Sequence, residues 1–348
     1  MQINGKQRHV LQWHITHACN LRCKHCYQDD YSHFTSVERL YEILDKYTDF
    51  VHKNNFYGQI NLTGGEPLLH PEFFSLAKEI KRRGFRLGIL TNGTLIDAQA
   101  AEKIRSLHPI FVQISLDGTR RQHDFIRGPG SFDRALHAIR LLKSRNIRVL
   151  VSFTAQKNNL GSFKRLARIC AHYGVDKLWW DRVVTNSSEE YAALALSTKK
   201  FRTFLTRSLR MEAKYRRPDG SSMISNQRSL QFLGCNSSQD GYICSAGKTL
   251  VAVLADGTVM PCRRLSITIG NIHESDFQHL LRSSGFLRYI QDNPYPDACA
   301  DCKHLLRCMG GAKCITYGQT GTLNAADPNC FGKQPIAANC SVLKTPLN

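Results

Sequence analysis

Over roughly the first half of the chain, short apolar runs alternate with stretches of helical period. Strand-like runs fall at 10–16, 59–63, 86–91, 110–116, 148–154 and 176–182. Between the first two, Leu40, Tyr41, Leu44 and Val51 recur at helical spacing from Val37, with Thr35 and Ser36 as candidate N-caps. Gly84 and Gly174 stand where helices should stop before the next strand, the position of a C-cap glycine. Such alternation predicts repeated βα units around a parallel sheet. Six units fall short of the eight that close a barrel. The expected fold is therefore α/β, an open partial (β/α)6 TIM-like barrel over residues 1–184.

Beyond that the texture changes twice. Residues 185–234 read as a polar, basic helical bridge. From Cys235 the chain turns to cysteines, glycines and short strands such as TLVAVL and GTVMPC, so residues 235–348 are expected to form a cysteine-rich second domain. Neither a low-complexity tract nor a repeat beyond the βα alternation is present.

Composition narrows the setting. The 348 residues can bury a real core, and although 42% are apolar, no run approaches the roughly 18 to 20 apolar residues of a membrane span. The opening MQINGKQRHVLQW lacks a signal-peptide core, which places the protein in the cytoplasm. In a reducing compartment clustered thiols are metal ligands more often than disulfides. Of the 13 cysteines, three lie at 19–26 and eight at 235–330, while Cys170 and Cys340 stand apart with no role assigned. The 47 basic against 28 acidic residues give a net charge of +19, which attracts nucleic acid, anionic membrane or acidic peptide without choosing among them. Between Lys199 and Arg217, eight Lys or Arg face one acid, Glu212, a pattern that also fits a plain solvated helix face.

The first cysteine group, THACNLRCKHCYQ, follows the first strand and spaces Cys19, Cys23 and Cys26 as C-x3-C-x2-C. Three thiolates on one loop can hold three irons of a [4Fe-4S] cubane and leave the fourth without a protein ligand. An open iron can chelate a substrate or cofactor, so the arrangement points to catalysis rather than electron storage. A zinc site is the plainer alternative, but zinc usually takes four ligands with paired C-x2-C spacing.

This spacing, with Asn20-Leu21-Arg22 between the first two cysteines and Tyr27 after the last, resembles the signature of the radical S-adenosylmethionine (SAM) superfamily. Gly64-Gly65-Glu66-Pro67, Thr91-Asn92-Gly93 and QISLDG with Ser115 and Asp117 then fall at successive strand ends, followed by Arg127 in HDFIRG. The resemblance implies that His25 packs over the adenine of SAM and that Gly64, Gly65 and Glu66 hold its amino group. It further implies that Ser115 and Arg127 serve the ribose and the methionine carboxylate, with Thr91 and Asn92 also on the cofactor. The chemistry implied is electron transfer into the sulfonium, giving methionine and a 5'-deoxyadenosyl radical that abstracts hydrogen from an unactivated C–H bond.

Downstream, Cys244 to Cys262 reads C-x12-G-x4-C, followed by C-x2-C-x5-C-x5-C from Cys299. This resembles the SPASM extension of radical SAM enzymes, which carries two auxiliary [4Fe-4S] clusters; two zinc sites are the alternative. The resemblance implies Cys235, Cys244, Cys262 and Cys314 on one cluster and Cys299, Cys302, Cys308 and Cys330 on the other. The usual C-x3-C step is two residues longer here, from Cys308 to Cys314. Cys235 either completes the first auxiliary site or leaves it with an open iron. Three clusters in all are expected.

SPASM proteins most often modify ribosomally made peptides or proteins, and the resemblance covers about residues 10–332. The expected activity is therefore peptide maturation: a cross-link, an epimerisation or an oxidation. The expected partners are a precursor peptide with an acidic leader, captured by a separate leader-binding protein or by the basic surface, and a flavodoxin or ferredoxin reductant. An anaerobic sulfatase-maturating role is disfavoured, since those enzymes carry an aspartate after the cysteine equivalent to Cys262, where this chain has Arg263. A nucleic-acid-modifying enzyme and a non-catalytic electron carrier stand as alternatives; the first lacks an RNA-binding module, and the second would not need GGEP.

Overall fold

The computed structural model describes residues 2–3, 5–28, 30–32, 34–184, 189, 193–227, 229 and 244–332. Cys235 and Cys340 lie outside the described residues. The architecture is mixed α/β with a parallel sheet and a partial barrel, and the chain forms two compact units interleaved in sequence. The first takes residues 1–115, 127–149 and 245–292; the second takes 116–126, 150–244 and 293–348.

Strands β1 (Gln2–Ile3), β2 (Lys6–His14), β3 (Tyr57–Thr63), β4 (Arg86–Thr91) and β5 (Phe111–Ser115) belong to the first unit. There, β2 to β5 run parallel, with His14 opposite Thr63, Gln59 opposite Arg86 and Gly88 opposite Phe111. Alternation sorts the two faces. His9, Leu11 and Trp13 of β2 share one face; His9 stacks on Phe56 at 5.3 Å and meets Tyr47 and Phe50 of helix α1 (Val37–Lys53). Ile60, Leu62, Leu87, Ile89, Val112 and Ile114 are likewise fully buried. The opposite parity carries Gln12, His14, Asn61, Thr63, Gln113 and Ser115, so the sheet has one apolar helix-covered face and one polar face. Helix α1 starts where its cap signal predicts, the Ser36 side chain accepting from Arg39 N–H. Gly84 has φ +82°, as a C-cap glycine does before β4.

The second unit holds β6 (Val149–Ala155), β7 (Lys177–Arg182) and β8 (Ile224–Ser225), paired in parallel. The runs read as TLVAVL and GTVMPC are β9 (Leu250–Val253) and β10 (Thr258–Met260), followed by β11 (Gly270–Asn271). Rather than standing apart, β9 lies parallel beside β2 in the first unit, Val10 opposite Leu250 and Trp13 opposite Val253. The strand expected at 10–16 ends instead at His14. There the chain leaves the ladder, because Thr16 and Ala18 carbonyls accept from Gly65 and Glu66 N–H groups, both at 2.8 Å.

The basic segment is helical. Helices α2 (Phe73–Arg82), α3 (Ala98–Ser106), α4 (Arg120–Arg127), α5 (Ser131–Lys143) and α6 (Phe163–His172) precede α7 (Thr198–Lys214). All eight basic residues from Lys199 to Arg217 are exposed, whereas Glu212 turns inward and accepts from Asn226 at 2.5 Å. Asn226 also joins Ser208 and the Trp180 indole, whose N–H donates to both at 2.8 Å. The one acid of this segment is thus withdrawn from the surface, and its exposed charged residues on α7 are positive.

Candidate active site and cysteine-lined pocket

The cysteine loop is fixed from below by backbone. A Cβ on Gly64 would lie 2.5 Å from the Thr16 carbonyl, and one on Gly65 would lie 2.4 Å from that of Ala18. Both glycines therefore allow the close approach that seats the strand end against the residues before Cys19. Within the loop, Cys26 N–H donates to Cys23 carbonyl at 2.9 Å, and Arg22 donates to Cys19 carbonyl at 2.6 Å while lying 3.8 Å over the Tyr31 ring. Asn20 pairs with Asn92 and Thr94, each at 2.9 Å, tying the loop to the turn after β4.

Glu66 is fully buried behind this turn. Its carboxylate accepts from the Thr91 hydroxyl at 2.6 Å, Asn92 N–H at 2.8 Å and Leu68 N–H at 3.4 Å. Burial pushes its carboxyl up to about 7, against the pull of those three bonds and of the Arg127 charge. Arg127 closes α4 and donates toward Cys23 Sγ at 3.7 Å. Burial likewise raises the Cys19 thiol to about 11, opposed by Leu21 N–H and reinforced by Glu66, Cys23 and Cys26. The Cys19 thiol, crowded beside a carboxylate, keeps its proton until a cation replaces it, as a metal-ligating thiol does. Ser115 ends β5 and is half-buried, as is His25. In the second unit, Asp117 is fully buried: its carboxylate accepts from Thr154 N–H at 2.8 Å and its own N–H donates to His123 at 3.0 Å. It braces the fold there rather than forming a rim.

Two residues at the cysteine loop escaped the sequence reading. Arg263, only 8% exposed, lays its guanidinium 4.4 Å over the Tyr27 ring and donates to the Tyr27 carbonyl at 3.2 Å. His14, 4% exposed at the end of β2, is held well below the ordinary histidine range by burial first, then by the charges of Arg263 and His17. His14 had no signal of its own, since β2 also carries His9 and Gln12; Arg263 had none beyond its place after Cys262.

In the second unit, Cys299, Cys302, Cys308 and Cys330 line one pocket with His304 and Asp327. Burial first, then Asp327 and the other three thiols, raise Cys308 to about 12. Asp327 is anchored from β7: Arg182 donates to its two oxygens at 2.6 and 2.7 Å, with both side chains buried. Cys262 lies half-buried in the first unit; Cys244, half-buried, and Cys314, buried, lie in the second.

Comparison with known proteins fits this geometry. The pattern of the radical SAM superfamily matches residues 13–168, and that of an iron–sulfur cluster-binding domain, SPASM, matches 244–303. The chain carries a radical SAM domain and a SPASM domain. This radical SAM/SPASM enzyme is 25% identical to the AdoMet-dependent heme synthase of Oleidesulfovibrio alaskensis, across 92% of this chain and 86% of that one. It is 26% identical to the mycofactocin maturase MftC of Mycobacterium tuberculosis, across 92% and 82%. Native anSMEcpe with bound AdoMet and Cp18Cys peptide shares the fold with a TM-score of 0.77 at 20% identity, across 92% and 93%. The cofactors of the radical SAM/SPASM enzyme are SAM and iron–sulfur clusters. No helix among the described residues is long and apolar enough to cross a membrane.

Proposed function

We propose that this radical SAM/SPASM enzyme modifies a ribosomally made peptide in the cytoplasm, using three [4Fe-4S] clusters. The observation that carries the catalytic part is the loop of Cys19, Cys23 and Cys26, buttressed by Gly64 and Gly65 and wired through Asn20 and Asn92 to the buried Glu66. When bound, the cluster on this loop supplies the electron that cleaves SAM into methionine and a 5'-deoxyadenosyl radical. Glu66 takes the SAM ammonium and Arg127 its carboxylate, holding the two charged ends of the methionine part. His25, Ser115, Thr91 and Asn92 border the remainder of the cofactor. Cys299, Cys302, Cys308 and Cys330 hold one auxiliary cluster around their common pocket. Cys244, Cys262 and Cys314, with or without Cys235, hold the other.

The basic face of α7 supports the peptide reading, since its six exposed cations, with Arg216 and Arg217 just beyond, suit an acidic leader. A mycofactocin maturase among the relatives and a peptide in the anSMEcpe structure support it too. An iron-porphyrin substrate is the second reading, favoured by relatives described as heme synthase and Fe-coproporphyrin III synthase. The reductant is a flavodoxin or ferredoxin. Anaerobic reconstitution followed by 5'-deoxyadenosine measurement tests the core of the proposal. About twelve irons and SAM cleavage are expected, with Cys19, Cys23 and Cys26 replaced by Ala removing a third of the iron and all cleavage. Full cleavage by the triple variant refutes the assignment.

A further inference from the structure

The guanidinium of Arg263 is buried beside the cysteine loop and directs one of its five N–H donors at the Tyr27 carbonyl. Stacking on Tyr27 fixes its plane. Among the described residues no carboxylate forms an ion pair with it, although taking a charge out of water is costly until an anion or a set of acceptors meets it. Nearby, His14 also faces this region from the polar side of β2, at the carboxyl end of a parallel strand where ligands of such sheets gather. Its Nε2 is buried and has no hydrogen-bond partner. The ring also hydrogen-bonds the Gly64 backbone, so Nε2 donates to an anion only when the imidazole takes up a second proton, which an anion at Arg263 would favour.

The two groups share a requirement. An oriented guanidinium takes a planar carboxylate through two parallel N–H donors, a geometry that a lysine or a neutral amide does not reproduce. We propose that Arg263, assisted by His14, receives a carboxylate of the substrate beside the cysteine loop. This rests on the reading of that loop as the SAM-cleaving site, and it adds that the substrate presents an acid at the reacting end. Arg263 acts here as a binding and positioning residue: it fixes which carbon of the substrate lies nearest the site of radical formation.

The same chemistry could come from the methionine carboxylate of SAM, so the experiment separates the two sources. The iron–sulfur-reconstituted full chain, loaded with SAM under non-reducing conditions, is titrated with propionate and, in parallel, with uncharged propionamide, and binding is read by saturation-transfer NMR. Propionate is expected to bind and propionamide not. Arg263→Gln is expected to weaken propionate at least tenfold, Arg263→Lys less so and His14→Phe by an intermediate factor, with SAM affinity retained. Iron content and thermal midpoint confirm that the variants fold, and the lysine variant keeps the test open where the glutamine variant does not. Absence of propionate binding to wild type, equal binding to Arg263→Gln, or equal binding of propionamide overturns the proposal. A parallel tenfold loss of SAM affinity in Arg263→Gln assigns the arginine to SAM and also overturns it. Wild-type protein that binds propionate through Arg263 yet makes no 5'-deoxyadenosine on reduction sinks the SAM-cleaving reading instead.

Discussion

Glutamine in place of Glu66 removes a charge from a fully buried carboxyl and changes little else in shape. In the folded protein that carboxyl is raised to about 7, whereas its ordinary value is 4.5. A raised acid binds protons more tightly when folded, so its contribution to stability is complete below pH 4.5 and is lost as pH climbs to about 7. At about 1.36 kcal/mol per unit the loss totals about 3 kcal/mol, on the order of 5 °C in melting temperature for a chain of this size. Glutamine cannot titrate. Its carbonyl can still accept from Asn92 N–H, but its amide then meets the Thr91 hydroxyl, which already accepts from Gly93 N–H at 2.9 Å and must give up donating. Losing that charge-assisted bond costs about 1.5 to 3 kcal/mol, chiefly at alkaline pH where the wild-type carboxyl is ionised. Thermal midpoints of reconstituted wild type and Glu66→Gln, measured from pH 5 to pH 8.5, should therefore change differently with pH. Glu212, also raised to about 7 by burial, contributes equally to both curves and cancels in their difference. If the SAM ammonium reaches Glu66, binding at pH 7 should also release about half a proton, visible by calorimetry in buffers of different ionisation enthalpy. Parallel melting curves, together with unchanged proton release in the variant, would refute both the raised carboxyl and its place on SAM.

Three further outcomes are expected. Asp327→Ala leaves Arg182 buried without its carboxylate, which should cost about 3 to 5 kcal/mol and strip iron from the neighbouring cysteines; wild-type iron content and melting would contradict this. Arg127→Ala should weaken SAM binding about tenfold or more, as loss of one charge-assisted hydrogen bond implies, and calorimetric titration with SAM decides it. Reversing Lys199, Lys200, Arg207 and Arg210 to Glu should weaken binding of an acidic peptide at low salt, with the difference fading as the Debye length falls from about 10 Å at 0.1 M to about 3 Å at 1 M. Equal peptide affinity at low salt would return α7 to the status of a solvated helix.

What the sequence disclosed and what it hid have separate physical origins. Strand positions, the Ser36 cap and the glycine after α2 are local: each follows from a few neighbouring residues, and β3 to β7 begin or end within two residues of the expected positions. The end of β2 was misplaced because the chain leaves the ladder at Ile15–Thr16 to meet a glycine pair some fifty residues on, a contact no local pattern encodes. Asp117 was marked only by its place at a strand end, and its bond from Thr154 N–H shows it to be a brace. Cys299, Cys302, Cys308 and Cys330 were grouped by motif, and they do share a pocket. Arg263 was noticed only as a departure from a relative's aspartate; its seat over Tyr27 joins residues 236 apart in the chain.

The strand that flanks β2 has a consequence for synthesis. β9 is made about 240 residues after its partner, and the segment matched as the iron–sulfur domain begins at residue 244. Until it emerges from the ribosome, Val10 to Trp13 present an unpaired edge, shielded only at Lys6 and Gln7 by the short hairpin with β1. Open edges recruit other strands, and pairings this distant in sequence form slowly. A nascent chain therefore carries an adhesive flank for most of its translation time, and truncation before residue 250 makes that flank permanent. A barrel cut away from the segment that begins at residue 244 would lack the strand that pairs with Val10 to Trp13.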